Sequence, residues 1–101
     1  MNPVFTVKFR PRAAKAFDRL DFALKQQLTR KLDQRCLHPE VAADRVREIP
    51  NGYKVKLRSS GVRAIYLVRN SELVILIVAI GRREREESYR EAIAEFAKLR
   101  D

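Results

Sequence analysis

Residues 53–80, YKVKLRSSGVRAIYLVRNSELVILIVAI, contain three strand signals separated by two short turns. Residues 53–58 (YKVKLR) and 62–69 (VRAIYLVR) flank Ser59-Ser60-Gly61, a loop short enough for a hairpin and carrying a glycine available for a positive φ. Arg69-Asn70-Ser71-Glu72 then turns the chain into residues 73–80 (LVILIVAI). Connections this short make neighbouring strands run antiparallel. The last run is apolar throughout, which predicts a central strand covered by helices on at least one face.

Working outward, residues 4–9 (VFTVKF) are β-branched and aromatic, with Phe5, Val7 and Phe9 on one face, and predict a first strand. Pro11 follows, suited to the first position of a helix, where a missing N–H costs nothing. Ala14, Phe17, Leu20, Leu24, Leu28 and Leu32 recur at spacings of three and four, the apolar stripe of a helix. Asp21 is a candidate N-cap, so the stripe divides into a hairpin of two helices over 11–20 and 21–37. Residues 45–49 show no pattern that assigns them, and Pro50-Asn51-Gly52 is a turn. On the other side, Gly81 is expected to end the last strand. A helix over 86–99 then carries Tyr89, Ala92, Ile93, Phe96 and Leu99 on its apolar side. The order β-α-α-β-β-β-α defines an α+β domain: an antiparallel sheet with an N-terminal helical hairpin and a C-terminal helix. Its 101 residues suit one domain, 1–101.

The balance of 22 Lys and Arg against 13 Asp and Glu gives a net charge of +9 and a pI near 10.3. Such a surface attracts polyanions, nucleic acid first among them. The amino-terminal residues lack the apolar core of a signal peptide, and residues 73–80 are too few to span a membrane. The single cysteine, Cys36, can make neither an internal disulfide nor a thiolate zinc cluster, and its apolar-periodic setting reads as core. The expected location is the cytoplasm.

Strand alternation assigns the chemistry. Tyr53, Val55 and Leu57 point to the core, which aligns Lys54, Lys56 and Arg58 on the opposite face with no acid among them. Arg63 joins them from the next strand, and Arg82, Arg83, Arg85, Ser88 and Tyr89 come from the strand end and helix start nearby. The alternative to a functional surface is a sheet face charged to discourage edge pairing. Clustering from three separate segments favours function. Lys and Arg without carboxylates complement phosphate, and Arg can bond it bidentately. Metal-dependent nucleases need converging carboxylates, and a two-histidine mechanism needs more than His38, so no metal and no cofactor are expected. Lysine and tyrosine are poor bases at neutral pH, with reference pKa values of about 10.4 and about 10. Crowding cations eases deprotonation of both residue types. A ribose 2′-OH attacking the adjacent phosphorus would leave a 2′,3′-cyclic phosphate, which points to RNA.

YKVKLRSSGVRAIY (residues 53–66) followed by IGRREREESYREA (residues 80–92) closely resembles the RelE family of bacterial toxins, while the amino-terminal half agrees only in pattern. The resemblance implies a metal-independent endoribonuclease, an mRNA interferase that cuts messenger RNA in the ribosomal A site against 16S rRNA. It also implies a RelB-like antitoxin as partner, through which the complex would bind its operator DNA. Carried over residue by residue, the catalytic set is Lys54, Lys56, Arg63, Arg83 and Tyr89. Lys54 and Lys56, or Tyr89, would activate the 2′-OH; Arg83 or a lysine would protonate the leaving oxygen; Arg63 would stabilise the phosphorane. Arg58, Arg82 and Arg85, with Lys25, Arg30 and Lys31 on the helical hairpin, would bind RNA or ribosome. Two departures stand out: Val62 replaces the aromatic often found there, and the last helix runs on through residues 94–101.

Two rivals belong to other classes. ParE-type toxins share the outline and bind DNA gyrase without nuclease activity, but generally lack the Lys-x-Lys pair and distal Tyr. A plain RNA-binding module would stack bases on aromatics. The chain has eight, most at core-facing positions.

Overall fold

The computed structural model describes residues 4–82 and 87–99. Along the chain run β1 (Thr6–Phe9), α1 (Pro11–Asp18), α2 (Phe22–Leu37), a 3-10 turn (Ala42–Asp44), β2 (Gly52–Leu57), β3 (Val62–Arg69), β4 (Val74–Arg82) and α3 (Glu87–Leu99). The α+β order is the one expected. One sheet holds the strands in the order β1-β4-β3-β2. β2, β3 and β4 form the antiparallel meander, and the hairpin loop closes on Leu57 O, with Gly61 at φ 76°. β1 adds a parallel pair on the far edge of β4, through Thr6 N to Leu73 O and Arg10 N to Ile77 O. That edge is the one open to it, because β3 already occupies the other.

Pro11 and Asp21 set the helical boundaries. Pro11 begins α1, and the Asp21 carboxylate caps α2 by accepting from Leu24 N at 2.9 Å. The hairpin lays Ala13, Leu28, Leu32 and Cys36 on one sheet face, against Val55, Leu57, Ala64, Tyr66, Ile75 and Ile77. The residue of α1 that becomes fully buried is Ala13; Ala14, expected in the stripe, stays half-exposed. The other face carries α3: Ala92, Tyr89, Phe96 and Leu99 cover Ile65, Leu67, Leu76, Val78 and Ala79. Ile93, also expected in that stripe, is 46% exposed. β4 is thus covered on both faces, which explains its unbroken apolar run. Among the described residues no helix is long and apolar enough to cross a membrane.

Both ends of β4 differ from expectation. Leu73 lies in the preceding turn at φ 54°, and the strand starts at Val74. Gly81 does not end the strand: it lies opposite Arg63, and Arg82 opposite Val62, because β3 is long enough to keep pairing. The consequential irregularity is internal. Ile65 pairs with Ala79 but Tyr66 pairs with Ile77, so Val78 is an extra residue, a β-bulge. The bulge shifts the alternation by one. Ile75 and Ile77 face the hairpin before it; Ile80 faces the hairpin after it. Arg82 follows the parity of Ile80, and Gly81 takes the α3 face.

Leu28 is fully buried between the hairpin and the sheet. Leu28→Ala should cost about 2–5 kcal/mol in urea unfolding, through lost burial and the cavity left behind; a cost under about 1 kcal/mol would contradict this packing. Burial, aided by Asp33, raises Cys36 above its ordinary 9.0. Burial also raises Tyr66 above 10.0, although Arg35 pulls the other way. Each group therefore keeps in the folded state a proton that the unfolded chain releases near its ordinary value, 10.0 for Tyr66 and, lower, 9.0 for Cys36. Stability should be level below that point and fall as pH rises through the raised values. Urea midpoints from pH 8 to 11 check this; a midpoint that rises through the range would contradict it.

Candidate active site

β2 is the sheet edge, and its alternation works as the sequence predicts. Tyr53, Val55 and Leu57 are buried in the hairpin core, while Lys54 and Lys56 emerge on the α3 face. In register, Lys56 lies opposite Arg63, and on its other flank Arg63 lies opposite Gly81. Gly81 puts no side chain on that flank of Arg63. Tyr89, in the first turn of α3, accepts a hydrogen bond from Arg63 Nη1 at 2.7 Å. The guanidinium carbon also sits 5.5 Å from the centre of its ring. The contact orients the arginine without neutralising it.

The edge strand is held from behind by α2. Lys31 Nζ donates to Lys56 O at 3.0 Å, and Arg35 Nη1 donates to Lys54 O at 3.1 Å. Arg35 also donates to Tyr66 Oη at 2.8 Å and pairs with Asp44 at 2.6 Å, while Tyr66 Oη donates to Pro39 O. The carbonyls of the two site lysines are therefore fixed by cations on the opposite side of the sheet.

Beside Arg63 opens a cleft of about 530 Å³, lined by Arg45, Val46, Arg47, Glu48, Lys54, Arg63, Tyr89 and Ile93. Four of these, Arg45, Val46, Arg47 and Glu48, come from the segment for which the sequence offers no assignment. Val46 and Ile49 are plugs in the α3-side core, which turns Arg47 and Glu48 outward between them. The loop closes tightly: Val46 N bonds Gly52 O, and Gly52 N bonds Ile49 O, both at 2.9 Å. A Cβ on Gly52 would lie 2.9 Å from the Ile49 side chain, so glycine is required for that closure. The only sequence signal for this arrangement is the pair of apolar residues three apart, Val46 and Ile49. Glu48 also corrects the expectation of a surface without carboxylates.

The expected residues separate into groups. Lys54, Arg63 and Tyr89 meet at the cleft, and Lys56 stands beside Arg63 on the same face. Arg58 is exposed in the turn after β2 and does not line the cleft. The bulge sends Arg82 to the hairpin face, where it donates to Ser60 O at 2.9 Å. There it lines a second cationic cleft, of about 890 Å³, with Arg12, Lys15, Arg19 and Arg90. On the same side Lys25 lies 6.0 Å from the Phe17 ring, Arg30 is exposed, and Lys31 is engaged with β2. Arg83 and Arg85 lie outside the described residues. Among the described residues, no three His, Cys, Asp or Glu side chains converge as metal ligands.

Fold and cleft together define a small basic α+β protein with a cation–phenol cluster at one cleft. A family model, the ParE toxin of the type II toxin–antitoxin system parDE, matches residues 7–87. The mRNA interferase toxin RelE of Escherichia coli (strain K12) is 37% identical over 89 residues, 88% of this chain and 94% of that protein. A solved arginine double mutant of E. coli RelE in the free state superposes with a TM-score of 0.84 at 34% identity, covering 90% of this chain and 96% of that one. RelE in the intact E. coli RelBE toxin–antitoxin complex gives 0.75 at 34% identity, covering 78% and 95%. The chain belongs to the RelE/ParE family of type II toxin–antitoxin toxins.

Inorganic phosphate titrated into the labelled protein should shift the amide resonances of Lys54, Arg63 and Tyr89 together, and Arg63→Ala should weaken that response several-fold. Equal shifts in the variant would show that Arg63 is not the anion's anchor.

Proposed function

We propose that this chain is the toxin of a type II pair and a ribosome-dependent endoribonuclease of RelE type. It would cut messenger RNA in the A site and so inhibit translation. The observation that carries the reading is Arg63, bonded to the Tyr89 hydroxyl and flanked by Lys56 and Gly81, at a cleft shared with Lys54. Donors fixed in place before the reaction are the arrangement that stabilises charge developing on a phosphorane. In this scheme the 2′-oxygen attacks phosphorus, the phosphorus–5′-oxygen bond breaks, and Arg63 holds the equatorial oxygens. Lys54 and Lys56 supply positive charge beside it, and Lys54 protonates the departing 5′-oxygen. Arg83 joins the set on the strength of the family resemblance alone.

The antitoxin is proposed as a RelB-like protein, since RelE is the toxin of the RelBE complex to which this fold is similar. The ribosome, and operator DNA reached through the antitoxin, complete the proposed partners; action on ribosomes sets the proposed location in the cytoplasm. The second reading, gyrase inhibition of ParE type, draws on the name of the matching family model. Lys54, Lys56 and Tyr89 on one face argue for cleavage. Induction in cells separates the two: arrested translation supports the nuclease, DNA damage with intact messages the gyrase inhibitor.

The direct test is single-turnover cleavage of message on programmed ribosomes. Products should carry a 2′,3′-cyclic phosphate, a 2′-deoxyribose at the cut position should abolish cutting, and Arg63→Ala should lose on the order of 100-fold. Cutting of the deoxy substrate would make water the nucleophile and overturn the scheme.

A further inference from the structure

Lys54 serves the reaction through where its ammonium stands, and a misplacement of about 1 Å in such a group can cost on the order of 100-fold in rate. Its strand, β2, has a partner strand on one side only. The second hold on the backbone at Lys54 is one side chain, Arg35, in the last turn of α2. Arg35 Nη1 donates to Lys54 O at 3.1 Å and to Tyr66 Oη at 2.8 Å, and Nη2 donates to Asp44 Oδ2 at 2.6 Å. The guanidinium therefore joins the edge strand to two anchors. Tyr66 is fully buried on the interior strand β3, its ring stacked with Tyr53 at 5.9 Å and its hydroxyl donating to Pro39 O at 2.6 Å. Asp44 is held because the next residue, Arg45, bridges to Tyr53. Arg35 itself does not line the cleft: it lies on the hairpin side of the sheet, while the Lys54 side chain emerges on the other.

We propose that Arg35 is a positioning residue for cleavage: from behind the sheet it sets the place of Lys54, touching neither RNA nor the reacting atoms. The proposal rests on the nuclease reading above. Tyr66 and Asp44 aim the guanidinium, and the guanidinium fixes the backbone from which the Lys54 side chain projects. The role needs a planar fork. Nη1 carries two N–H groups and both are used, one on each strand, while Nη2 turns to the carboxylate. A lysine ammonium gathers its donors on a single nitrogen, so at this position it would reach one or two of the three acceptors. Loss of the guanidinium unties β2 from its anchors, while the ladder between β2 and β3 keeps the sheet together. The expected defect is therefore in the rate and not in the fold.

The test uses the full chain on programmed ribosomes, with the saturating single-turnover rate and the half-saturating toxin concentration measured separately. Arg35→Met should lower the rate on the order of 10-fold and leave half-saturation within about twofold of wild type. Arg35→Lys should recover part of that rate, and Asp44→Asn, which keeps the bonds to Lys54 and Tyr66, should lose less than Arg35→Met. In a Lys54→Ala background Arg35→Met should add no more than about a twofold loss, because the group it positions is gone. Leu28→Ala, which removes packing from the same helix, should unfold at lower urea yet keep the saturating rate within about twofold. Losses of Arg35→Met and Lys54→Ala that multiply overturn the proposal. So does an effect confined to half-saturation, or a Leu28→Ala rate as low as that of Arg35→Met, which would make the loss general loosening. If Arg35→Met does not fold, the same cycle is run with Arg35→Lys and the same outcomes decide. A wild-type protein that leaves messages uncut refutes the nuclease reading alone, and titration with inorganic phosphate then decides for Arg35. The Lys54 amide shift should shrink in Arg35→Met while that of Arg63 persists; an unchanged Lys54 shift overturns the positioning role.

Discussion

The hydrogen bond between Arg63 and Tyr89 depends on where the sheet places Arg63, and the rest of the site is arranged around that placement. Arg63 sits on an interior strand, between Lys56 and a residue with no side chain. Interior strands do not move readily, so the guanidinium is fixed by the sheet at one end and by the Tyr89 hydroxyl at the other. Gly81 takes its place on the α3 face because of the bulge at Val78. Without that extra residue the alternation would bring the Arg82 side chain to this face and turn Gly81 away from it. One irregularity in the ladder thus leaves one arginine without a side chain on one flank and assigns another to the opposite cleft, in keeping with the tendency of bulges to re-aim side chains near active sites.

The same economy governs the edge of the sheet. An unprotected edge strand offers unpaired backbone groups to other chains. Here α2 covers two of them, with Lys31 on Lys56 O and Arg35 on Lys54 O. The contacts that cap the edge also hold the backbone of the site lysines. Arg35 extends the hold through Asp44 and Tyr66 into the segment that leads to the cleft wall. Folding and site geometry therefore share the same bonds, and the basic hairpin serves the site from behind.

Much of this was legible in the sequence where periodicity speaks. Alternation in residues 53–58 separated the core residues from Lys54 and Lys56, and spacing gave both hairpin helices and the Asp21 cap. The pairing of Arg63 with Tyr89 was foreshadowed by their clustering. Periodicity was silent on three points. It cannot reveal a bulge inside an all-apolar strand, so the face of Arg82 was hidden. It cannot assign a parallel partner to β1, because pairing depends on which edge remains open. Residues 45–49 obey no period at all: Val46 and Ile49 are buried by tertiary contact, and Arg45, Arg47 and Glu48 reach the cleft only as a consequence. The carboxylate in the cleft was missed for that reason.

The central claim is that Arg63 and Tyr89 act as one unit, with the phenol orienting the guanidinium toward phosphate. A double-mutant cycle on single-turnover cleavage, comparing Arg63→Ala, Tyr89→Phe and the double variant, measures this directly. Coupled residues give strongly non-additive effects, so the double variant should cleave no more slowly than Arg63→Ala alone. If the two losses multiply, the residues act independently and the arrangement described here is not the working one.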